Sequence, residues 1–202
     1  MAVRVEIKLI LFDLGGVLLQ LNDPIKTFAL DYDDAEFHRR WLLSPAVRAH
    51  ESGKITAEQF ARNITREINL PYDAKTFLEK FIGWPGLPYP EVLDLVERID
   101  ESFACAILSN TNALHWHSLD INDVFGNRFE RCFLSFETGL LKPDAQAFIQ
   151  VTSTCKCEPD QVLFFDDNLL NIDAAAQAGM QAVLCRTSDD LAQALNARNL
   201  LT

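Results

Sequence analysis

The stretch Lys8-Leu-Ile-Leu-Phe-Asp13-Leu-Gly-Gly-Val-Leu-Leu19 organises the chain. A short apolar run ends in the carboxylate of Asp13, and two glycines follow at once. Such a run predicts a buried strand, and the glycines allow the backbone to turn tightly directly after it. We therefore expect Asp13 at the rim of a sheet, where a carboxylate serves as a nucleophile, a metal ligand or a turn residue.

The composition bounds the fold and the partners. The 202 residues are 49% hydrophobic and 23% charged, with a formal net charge of −11. This suits one domain, or a core of roughly 130 residues with a small appendage. The acidic balance argues against nucleic acid, because phosphate backbones are bound mainly by excess Lys and Arg. Neither a membrane span of roughly 20 apolar residues nor a signal-peptide pattern occurs, so we expect a cytoplasmic protein without membrane contact.

A helical segment follows the first strand. Between residues 24 and 83, aromatic and aliphatic residues recur three and four positions apart. The sequence Thr56-Ala-Glu-Gln59 is typical of a capping box that opens a helix. No strand pattern interrupts this segment. We therefore predict an all-helical cap over residues 21–87, inserted after the first strand, with its aromatic residues forming a small core of their own.

From residue 90 onward, apolar runs alternate with helical patterns. The predicted strands cover residues 103–108, 131–135, 161–165 and 181–185, and helices at 90–99, 171–178 and 188–197 lie between or after them. We place Pro143 at the first position of a further helix, with Asp144 at its positive end. This alternation predicts an α/β fold with a doubly wound, mostly parallel sheet. Residues 1–20 and 88–202 are assigned to this core.

Polar side chains fall where the predicted strands end, which is where parallel sheets bind their ligands. These residues are Asp13, Ser109, Asn110, Asp166 and Asp167. Carboxylates at one rim repel each other unless they are solvated or neutralised. A hard divalent cation resolves this repulsion, and Mg²⁺ takes a few carboxylates together with substrate phosphate. The competing interpretation is that the acids cap the helices that follow.

Four motifs together resemble a known family. They are Asp13-Leu-Gly-Gly-Val17, Leu108-Ser109-Asn110, Leu141-Lys142-Pro143-Asp144 and Phe164-Phe165-Asp166-Asp167-Asn168. Counted from Asp13 through Ser109 and Lys142 to Asp166, they lie 96, 33 and 24 residues apart. In this order they resemble the motifs of the haloacid dehalogenase-like (HAD) superfamily, whose members often insert a helical cap between the first two. The wording is most similar to the branch containing α-glucose-1-phosphate phosphatases.

The resemblance implies a phosphatase with a Rossmannoid core that acts on a small phosphorylated metabolite, with a sugar phosphate favoured. Asp13 would attack phosphorus to give an aspartyl-phosphate, while Ser109 and Lys142 hold the phosphoryl oxygens. Asn110 joins them, because backbone N–H groups between a strand and a helix suit an anion. The Lys142 ammonium and a metal ion would offset the repulsion between an attacking carboxylate and a phosphate dianion.

The implied cofactor is Mg²⁺. Its ligands would be Asp13, the backbone carbonyl of Gly15, Asp166 and Asp167. Asn171 lies one helical turn after Asp167, and we expect it to orient that carboxylate as a hydrogen-bond partner. The oligomeric state stays open between a monomer and a homodimer, and the sequence does not identify the substrate.

Gly15 departs from the family pattern. Most phosphatases of the superfamily carry a second Asp at this position, which acts as general acid and then as base. Such catalysis contributes about 10²–10⁴-fold to the rate. Either the substrates have good leaving groups, as sugar 1-phosphates do, or another acid reaches in from the cap or from Asp23. The third possibility is a non-catalytic protein that binds phosphate ligands or partners; we favour the first two.

A 2-haloacid dehalogenase is the other enzymatic alternative, since it also uses an aspartate nucleophile. Those relatives need no metal, and the adjacent acids Asp166 and Asp167 therefore argue against it. Outside the motifs, His50-Glu51 is interpreted as a solvated helix end rather than a pair that faces the cleft. We interpret His115-Trp-His117 as a loop or helix feature near the site, and Trp84-Pro85 as a hinge between cap and core.

Overall fold

The computed structural model describes residues 6–119 and 121–202. Its strands are β1 (Leu9–Phe12), β2 (Leu19–Leu21), β3 (Pro85–Pro88), β4 (Ala104–Ser109), β5 (Arg131–Leu134), β6 (Val162–Asp166) and β7 (Gln181–Leu184). Five of them form a parallel sheet in the order β5-β4-β1-β6-β7. The predicted α/β fold with a parallel sheet is thereby confirmed, and β1 lies at its centre.

Helices account for most of the remaining chain. They are α1 (Pro24–Phe28), α2 (Asp34–Leu43), α3 (Pro45–Glu51), α4 (Ala57–Glu67), α5 (Ala74–Ile82), α6 (Pro90–Glu97), α7 (Ala113–Ser118), α8 (Ile121–Val124), α9 (Ser135–Thr138), α10 (Ala145–Cys155), α11 (Leu169–Gln177) and α12 (Ser188–Asn196). Within the part of the chain that the structure describes, none of these helices has the length and apolar character needed to cross a membrane.

The central strand is buried on both faces. Ile10 and Phe12 pack into a cluster with residues of α6 and α12, whereas Leu9 and Leu11 pack on the opposite face with residues of α10 and α11. All four side chains are 3% exposed or less. This two-sided burial explains why β1 reads as a continuous apolar run. It also fixes the carboxyl end of the strand, where Asp13 follows.

Helices α1 to α5, called the cap below, pack around an aromatic core. The rings of Phe28, Phe37, Phe60, Phe77 and Phe81 are each 1% exposed or less and pack in one cluster. Thr56 and Gln59 form the predicted capping box at the start of α4. The aromatic core predicted for this segment is therefore present.

A two-stranded antiparallel sheet of β2 and β3 lies at the base of the cap, and the helical pattern did not predict it. The strand β3 reads Pro-Gly-Leu-Pro, which has little intrinsic strand propensity, and prolines are confined to edge strands or strand ends. Trp84, directly before β3, donates its indole N–H to the carbonyl of Asn22 at 2.8 Å. The division into residues 21–87 and the core stays a prediction.

The segment before α10 differs from the prediction. This helix begins at Ala145 after the N-cap residue Asp144, so Pro143 precedes it, and the placement of Pro143 at the first helical position is wrong. The Lys142–Pro143 peptide bond is cis. The Asp144 side chain makes no capping hydrogen bond, because it pairs with Arg48 of the cap helix α3 at 2.9 Å. The segment thus links the core to the cap.

Candidate active site

Asp13 lies directly beyond the central strand. Its preceding residue, Phe12, pairs with Ile107 of β4 and Phe165 of β6, so the carboxyl ends of three strands meet beside it. The Asp13 backbone N–H donates to the Phe165 carbonyl at 2.8 Å, which continues the sheet by one residue. The residue is 9% exposed. The sheet therefore holds this carboxylate at the rim, as predicted.

Lys142 joins two of the acids. Its Nζ lies 2.8 Å from Asp13 Oδ1 and 2.6 Å from Asp166 Oδ2. Asn110 holds the backbone of Lys142 on both sides, because its Oδ1 accepts from the Lys142 N–H at 2.8 Å and its Nδ2 donates to the Lys142 carbonyl at 2.9 Å. The Asn110 side chain is therefore committed to positioning Lys142, a role that the sequence did not indicate.

The charge of Lys142 is stabilised by its partners. The side chain is 2% exposed, and this burial works against the charged form. The carboxylates of Asp13 and Asp166 outweigh burial and raise the pKa of Lys142 above its usual value. The ammonium also lies 5.6 Å from the centroid of the Phe164 ring, within reach of a cation–π contact. Lys142 is thus a permanent cation at the rim.

Asp166 is fully buried and densely hydrogen-bonded. Its Oδ1 accepts from the Asn168 backbone N–H at 2.8 Å, and both oxygens lie 3.0 Å from Asn171 Nδ2. The prediction that Asn171 orients Asp167 is therefore wrong: its amide holds Asp166. Asn171 sits in the first turn of α11, and helical side chains point back towards the helix N-terminus, here towards the end of β6.

The acids form a cluster that suits a divalent cation. Carboxylate oxygens of Asp13, Asp166 and Asp167 all lie within 4.8 Å of one another. Burial raises the pKa of Asp13 to about 7, with Lys142 opposing and the other two acids adding to the rise. Burial, with Asp166 beside it, also raises the pKa of Asp167. Three acids share one buried ammonium, and oxygen donors of this kind fit Mg²⁺ or a similar hard cation.

The two glycines of the first motif have separate roles. Gly16 has a φ of +83°, and a Cβ at this position would clash with Asp167 Oδ2. The residue therefore has to be glycine for the Asp167 carboxylate to approach the turn. Gly15 lines the cavity, and a Cβ there would lie nearest to the Leu21 side chain, at 3.3 Å. No acid is supplied from position 15.

A cavity of about 860 Å³ opens above these residues, between the cap and the core. Its floor is formed by site residues that include Asp13, Ser109, Asn110, Lys142 and Asp167, and its cap wall includes Phe37, Trp41, Leu42, Phe81 and Trp84. Ser109, at the carboxyl end of β4, is 4% exposed. The structure thus brings the predicted residues from all four motifs to one cleft.

Residues 7–179 match the family model described as haloacid dehalogenase-like hydrolase. The chain belongs to this family. It is 26% identical over 197 residues to a sesquiterpene phosphatase of Aspergillus oryzae, with 96% of each protein covered. It is 23% identical over 207 residues to a D-ribitol-5-phosphate phosphatase of Bacteroides thetaiotaomicron, with 94% of this chain and 97% of that protein covered.

A solved structure supports the same assignment. The HAD family enzyme bt-2542 of Bacteroides thetaiotaomicron, in complex with magnesium and inorganic phosphate, superposes with a TM-score of 0.70. It is 26% identical and covers 88% of this chain and 93% of that chain. The predicted membership of the HAD-like hydrolases, with phosphatases as relatives, is confirmed.

Glu51 is a residue of this HAD-like hydrolase whose place the sequence did not reveal. It ends α3 and lines the cavity, half-buried, so its interpretation as a solvated helix end is wrong. Burial raises the pKa of Glu51 to about 7 against the opposing effects of Trp41, Lys142 and Arg48. Only the docking of α3 on the core brings this residue to the site, and no local motif records that docking.

His115 connects the core to the cap. Its Nε2 lies 2.7 Å from the Phe81 carbonyl, which makes Nε2 the donor, and its Nδ1 lies 3.1 Å from Asn112 Nδ2. Burial lowers the pKa of His115 to about 4. The ring is therefore neutral at physiological pH and joins α7 to the end of α5. Its interpretation as a helix feature near the site agrees with this position.

Proposed function

We propose that this HAD-like hydrolase is a Mg²⁺-dependent phosphatase that hydrolyses a small phosphorylated metabolite through an aspartyl-phosphate on Asp13. The observation that carries the proposal is the contact of one buried ammonium, Lys142, with both Asp13 and Asp166, beside the third acid Asp167. A nucleophilic carboxylate needs such neutralisation before it can approach a phosphate dianion. A purely structural ion pair would not require the additional acid or the cavity above it.

Asp13 is the proposed nucleophile. Its Oδ1 accepts hydrogen bonds from the Leu14 N–H at 2.7 Å and from Lys142 at 2.8 Å. Among the described residues, no hydrogen bond engages Oδ2. We assign attack to Oδ2, because the hydrogen bonds to Oδ1 fix the orientation of the carboxylate and leave the second oxygen for phosphorus. In-line attack breaks the ester bond and leaves the phosphoryl group on Asp13.

The phosphoryl oxygens are assigned to Ser109, Asn110 and Lys142. Ser109 supplies a hydroxyl at the end of β4, and Lys142 supplies the charge. Because the Asn110 side chain is engaged with Lys142, its contribution to phosphate binding is assigned to the backbone N–H. These groups are preorganised by the sheet, which is what stabilisation of a developing charge requires.

The metal site is assigned to Asp13, Asp166, Asp167 and the backbone carbonyl of Gly15. The surplus of buried carboxylates over cations supports this assignment, as do the raised pKa values of Asp13 and Asp167. When bound, Mg²⁺ supplies Lewis-acid polarisation of the phosphoryl group and charge neutralisation. The residues themselves orient the ion, and Asn171 keeps Asp166 in place.

A sugar phosphate is the first substrate candidate. The supporting observations are the D-ribitol-5-phosphate phosphatase among the relatives and the resemblance of the motifs to sugar-phosphate enzymes. The cavity of about 860 Å³ leaves room for a monosaccharide beyond the phosphoryl group. Sugar 1-phosphates fit best with the glycine at position 15, since their leaving groups need less protonation.

A specific feature of the cleft favours a second candidate, an apolar alcohol phosphate. Three exposed leucines line the cavity. They are Leu21 of β2, Leu42 of α2 and Leu169 of α11, which are 42%, 45% and 52% exposed. Together with Trp41 and Trp84 they give the cleft an apolar wall that an apolar leaving group would cover. A sesquiterpene phosphatase among the relatives is consistent with this candidate.

A substrate panel with Mg²⁺ tests the proposal. Sugar 1-phosphates, sugar 6-phosphates and a prenyl monophosphate are assayed for phosphate release by the wild type and by Asp13→Asn. We expect turnover that EDTA abolishes and that Asp13→Asn lacks, with the preferred ester deciding between the two substrate candidates. Metal-independent turnover, or turnover that survives in Asp13→Asn, contradicts the proposed function. Phosphate binding without any turnover supports the non-catalytic alternative.

A further inference from the structure

Cleavage of an alkyl phosphate leaves an alkoxide that needs a proton. General acid catalysis contributes about 10²–10⁴-fold to such a step. Gly15 has no side chain, and Asp13, Asp166 and Asp167 are committed to Lys142 and the proposed metal site. A proton donor must therefore come from another wall of the cavity.

Two other carboxyl groups line the cavity, and one of them is unsuited. Asp23 is the exposed N-cap residue of α1: its Oδ1 accepts from the backbone N–H of Ile25 and Lys26 at 2.9 and 3.3 Å. Its Oδ2 lies 3.2 Å from Lys26 Nζ. The hydrogen bonds from Lys26 lower the pKa of Asp23, so this acid is ionised and occupied as a helix cap. The remaining carboxyl group is that of Glu51.

The helix that carries Glu51 is fixed to the core. Gly53, two residues after it, has a φ of +70°, and a Cβ there would clash with the Phe136 carbonyl oxygen of α9. This close backbone approach is possible only for glycine. Arg48, on the same helix, pairs with Asp144 at 2.9 Å, two residues after Lys142. Both contacts hold the end of α3 at the cavity above the acidic floor.

We propose that Glu51 is the catalytic acid that protonates the leaving oxygen, in place of the side chain that Gly15 lacks. The inference rests on the proposed phosphatase function. Glu51 lines the same cavity as Asp13 but belongs to the cap, so it faces the floor from the side where the leaving group must lie. Trp41, also of the cap, lines the same cavity.

The surroundings of Glu51 suit a proton donor. Burial raises its pKa to about 7, and the Trp41 side chain and the charges of Lys142 and Arg48 oppose the rise. An ordinary glutamate, with a pKa of about 4.3, holds almost no proton at neutral pH. The other titratable groups that line this cavity are Asp13, Asp23, His38, Tyr89, His115, Lys142, Asp167 and Arg186.

The proposed proton transfers balance over the two half-reactions. In the first, a bond forms between Asp13 Oδ2 and phosphorus, the ester P–O bond breaks, and the leaving oxygen takes the Glu51 proton to become an alcohol. In the second, the Glu51 carboxylate takes a proton from water as the water oxygen attacks phosphorus. The bond between phosphorus and Asp13 then breaks, which releases inorganic phosphate and restores both carboxyl groups.

Glu51→Gln tests the inference, because glutamine keeps the shape of the side chain but donates no acidic proton. The assay compares kcat/KM for an alkyl phosphate with that for p-nitrophenyl phosphate, whose leaving group needs no protonation. We expect a loss of about 10²–10⁴-fold with the alkyl ester and a loss below about tenfold with the aryl ester. We also expect kcat/KM for the alkyl ester to decline at high pH in the wild type and not in Glu51→Gln.

Equal losses with both esters overturn the inference. So does a high-pH decline that persists in Glu51→Gln and disappears in His38→Gln. Asp23→Asn is the matched control, because asparagine caps a helix as well as aspartate and the variant keeps the leaving-group dependence of the wild type. If Glu51→Gln does not fold, Glu51→Asp is used instead, because it keeps an acid at the site. A decline of kcat/KM at high pH that is retained in Glu51→Asp supports the inference, and the loss of this decline overturns it. A wild type without Mg²⁺-dependent turnover contradicts the proposed function instead.

Discussion

At the scale of single residues, Lys142 is the group on which the site depends. It is the buried cation that contacts two carboxylates, and its backbone is clamped by Asn110. The ammonium, rather than any single acid, allows Asp13 and Asp166 to be buried at one rim. A change at this residue therefore acts on stability and on catalysis together.

We expect Lys142→Gln to lower the free energy of unfolding by about 3–5 kcal/mol, because it leaves buried carboxylates without their partner. Urea denaturation at pH 7 in EDTA measures this loss. Lys26→Gln is the control, since it breaks the exposed pair with Asp23, in which Lys26 is 87% exposed, and such pairs contribute about 1 kcal/mol or less. Equal stabilities of the two variants would contradict the role given to Lys142.

Gly15→Asp provides a second test at the residue scale. The nearest atoms to a Cβ there are those at the flexible end of Leu21, at 3.3 Å, and Gly15 is not among the glycines with positive φ. Combined with Glu51→Gln, it is expected to recover kcat/KM for alkyl phosphates by at least about tenfold, as general acids do. Gly16→Asp is the control and should lose activity, because its Cβ clashes with Asp167. If Gly15→Asp recovers no activity, the loss of activity in Glu51→Gln is not caused by the missing acid, and the role given to Glu51 is contradicted.

The site residues that could be predicted from the sequence are those that lie within recognisable local motifs. Asp13, Asp166 and Asp167 each stand within a motif at the end of an apolar run, and Lys142 stands within the motif Leu141-Lys142-Pro143-Asp144. Glu51 has no such context, since its place depends on a contact between α3 and α9, which are far apart in the sequence. Asn171 lies close enough in sequence to either acid, and only the direction of its side chain selects Asp166.

At the scale of elements, the packing of α3 against α9 determines where the cap places Glu51. Gly53, two residues after α3, lies against the Phe136 carbonyl oxygen of α9, and a methyl group there has no room. We expect Gly53→Ala to lose more stability in urea denaturation than Gly139→Ala. Gly139 has a similar φ of +72° but nothing within 4 Å of its Cβ, so it reports only the backbone cost, about 1–2 kcal/mol.

The same pair of variants reports on activity. Because Gly53→Ala shifts the end of α3, kcat/KM for an alkyl phosphate is expected to fall, while Gly139→Ala leaves it near that of the wild type. Equal effects of the two substitutions on stability and activity would show that α3 docking does not position Glu51.

The strands of the core were predictable from the sequence, and β3, at the base of the cap, was not. Buried parallel strands need continuous apolar runs, and β1, β4 and β6 have them. β3 contains two prolines and a glycine, so its pairing with β2 depends on tertiary contacts and not on strand propensity. Pro143 suits the first turn of a helix in general, yet α10 begins after it, at Ala145, and the side chain of the N-cap residue Asp144 pairs with Arg48 without accepting a capping hydrogen bond.

At the scale of the whole molecule, the buried acids link stability to pH and metal. The pKa of Asp13 rises on folding from its ordinary value near 3.8 to about 7. The folded state therefore binds more protons than the unfolded state between these values, and the contribution of this group to stability falls as pH rises through that window. A bound cation requires the ionised carboxylates and offsets the loss at high pH.

We therefore expect Mg²⁺ to raise the melting temperature more at pH 8 than at pH 5.5. Differential scanning fluorimetry at both pH values measures the two shifts, and NaCl of equal ionic strength is the control for screening. A shift that is equal at both pH values, or larger at pH 5.5, would contradict the linkage between the metal and the acidic cluster.

The central claim is the covalent intermediate on Asp13, and trapping it is the most direct test. The protein is mixed with Mg²⁺ and a substrate, quenched in acid during turnover, treated with borohydride to reduce any acyl phosphate, and mapped by peptide mass spectrometry. The account predicts reduction at Asp13 in the wild type, and none without Mg²⁺ or in Asp13→Asn. Turnover with a modified residue elsewhere, or with Asp13 unmodified throughout, would contradict it.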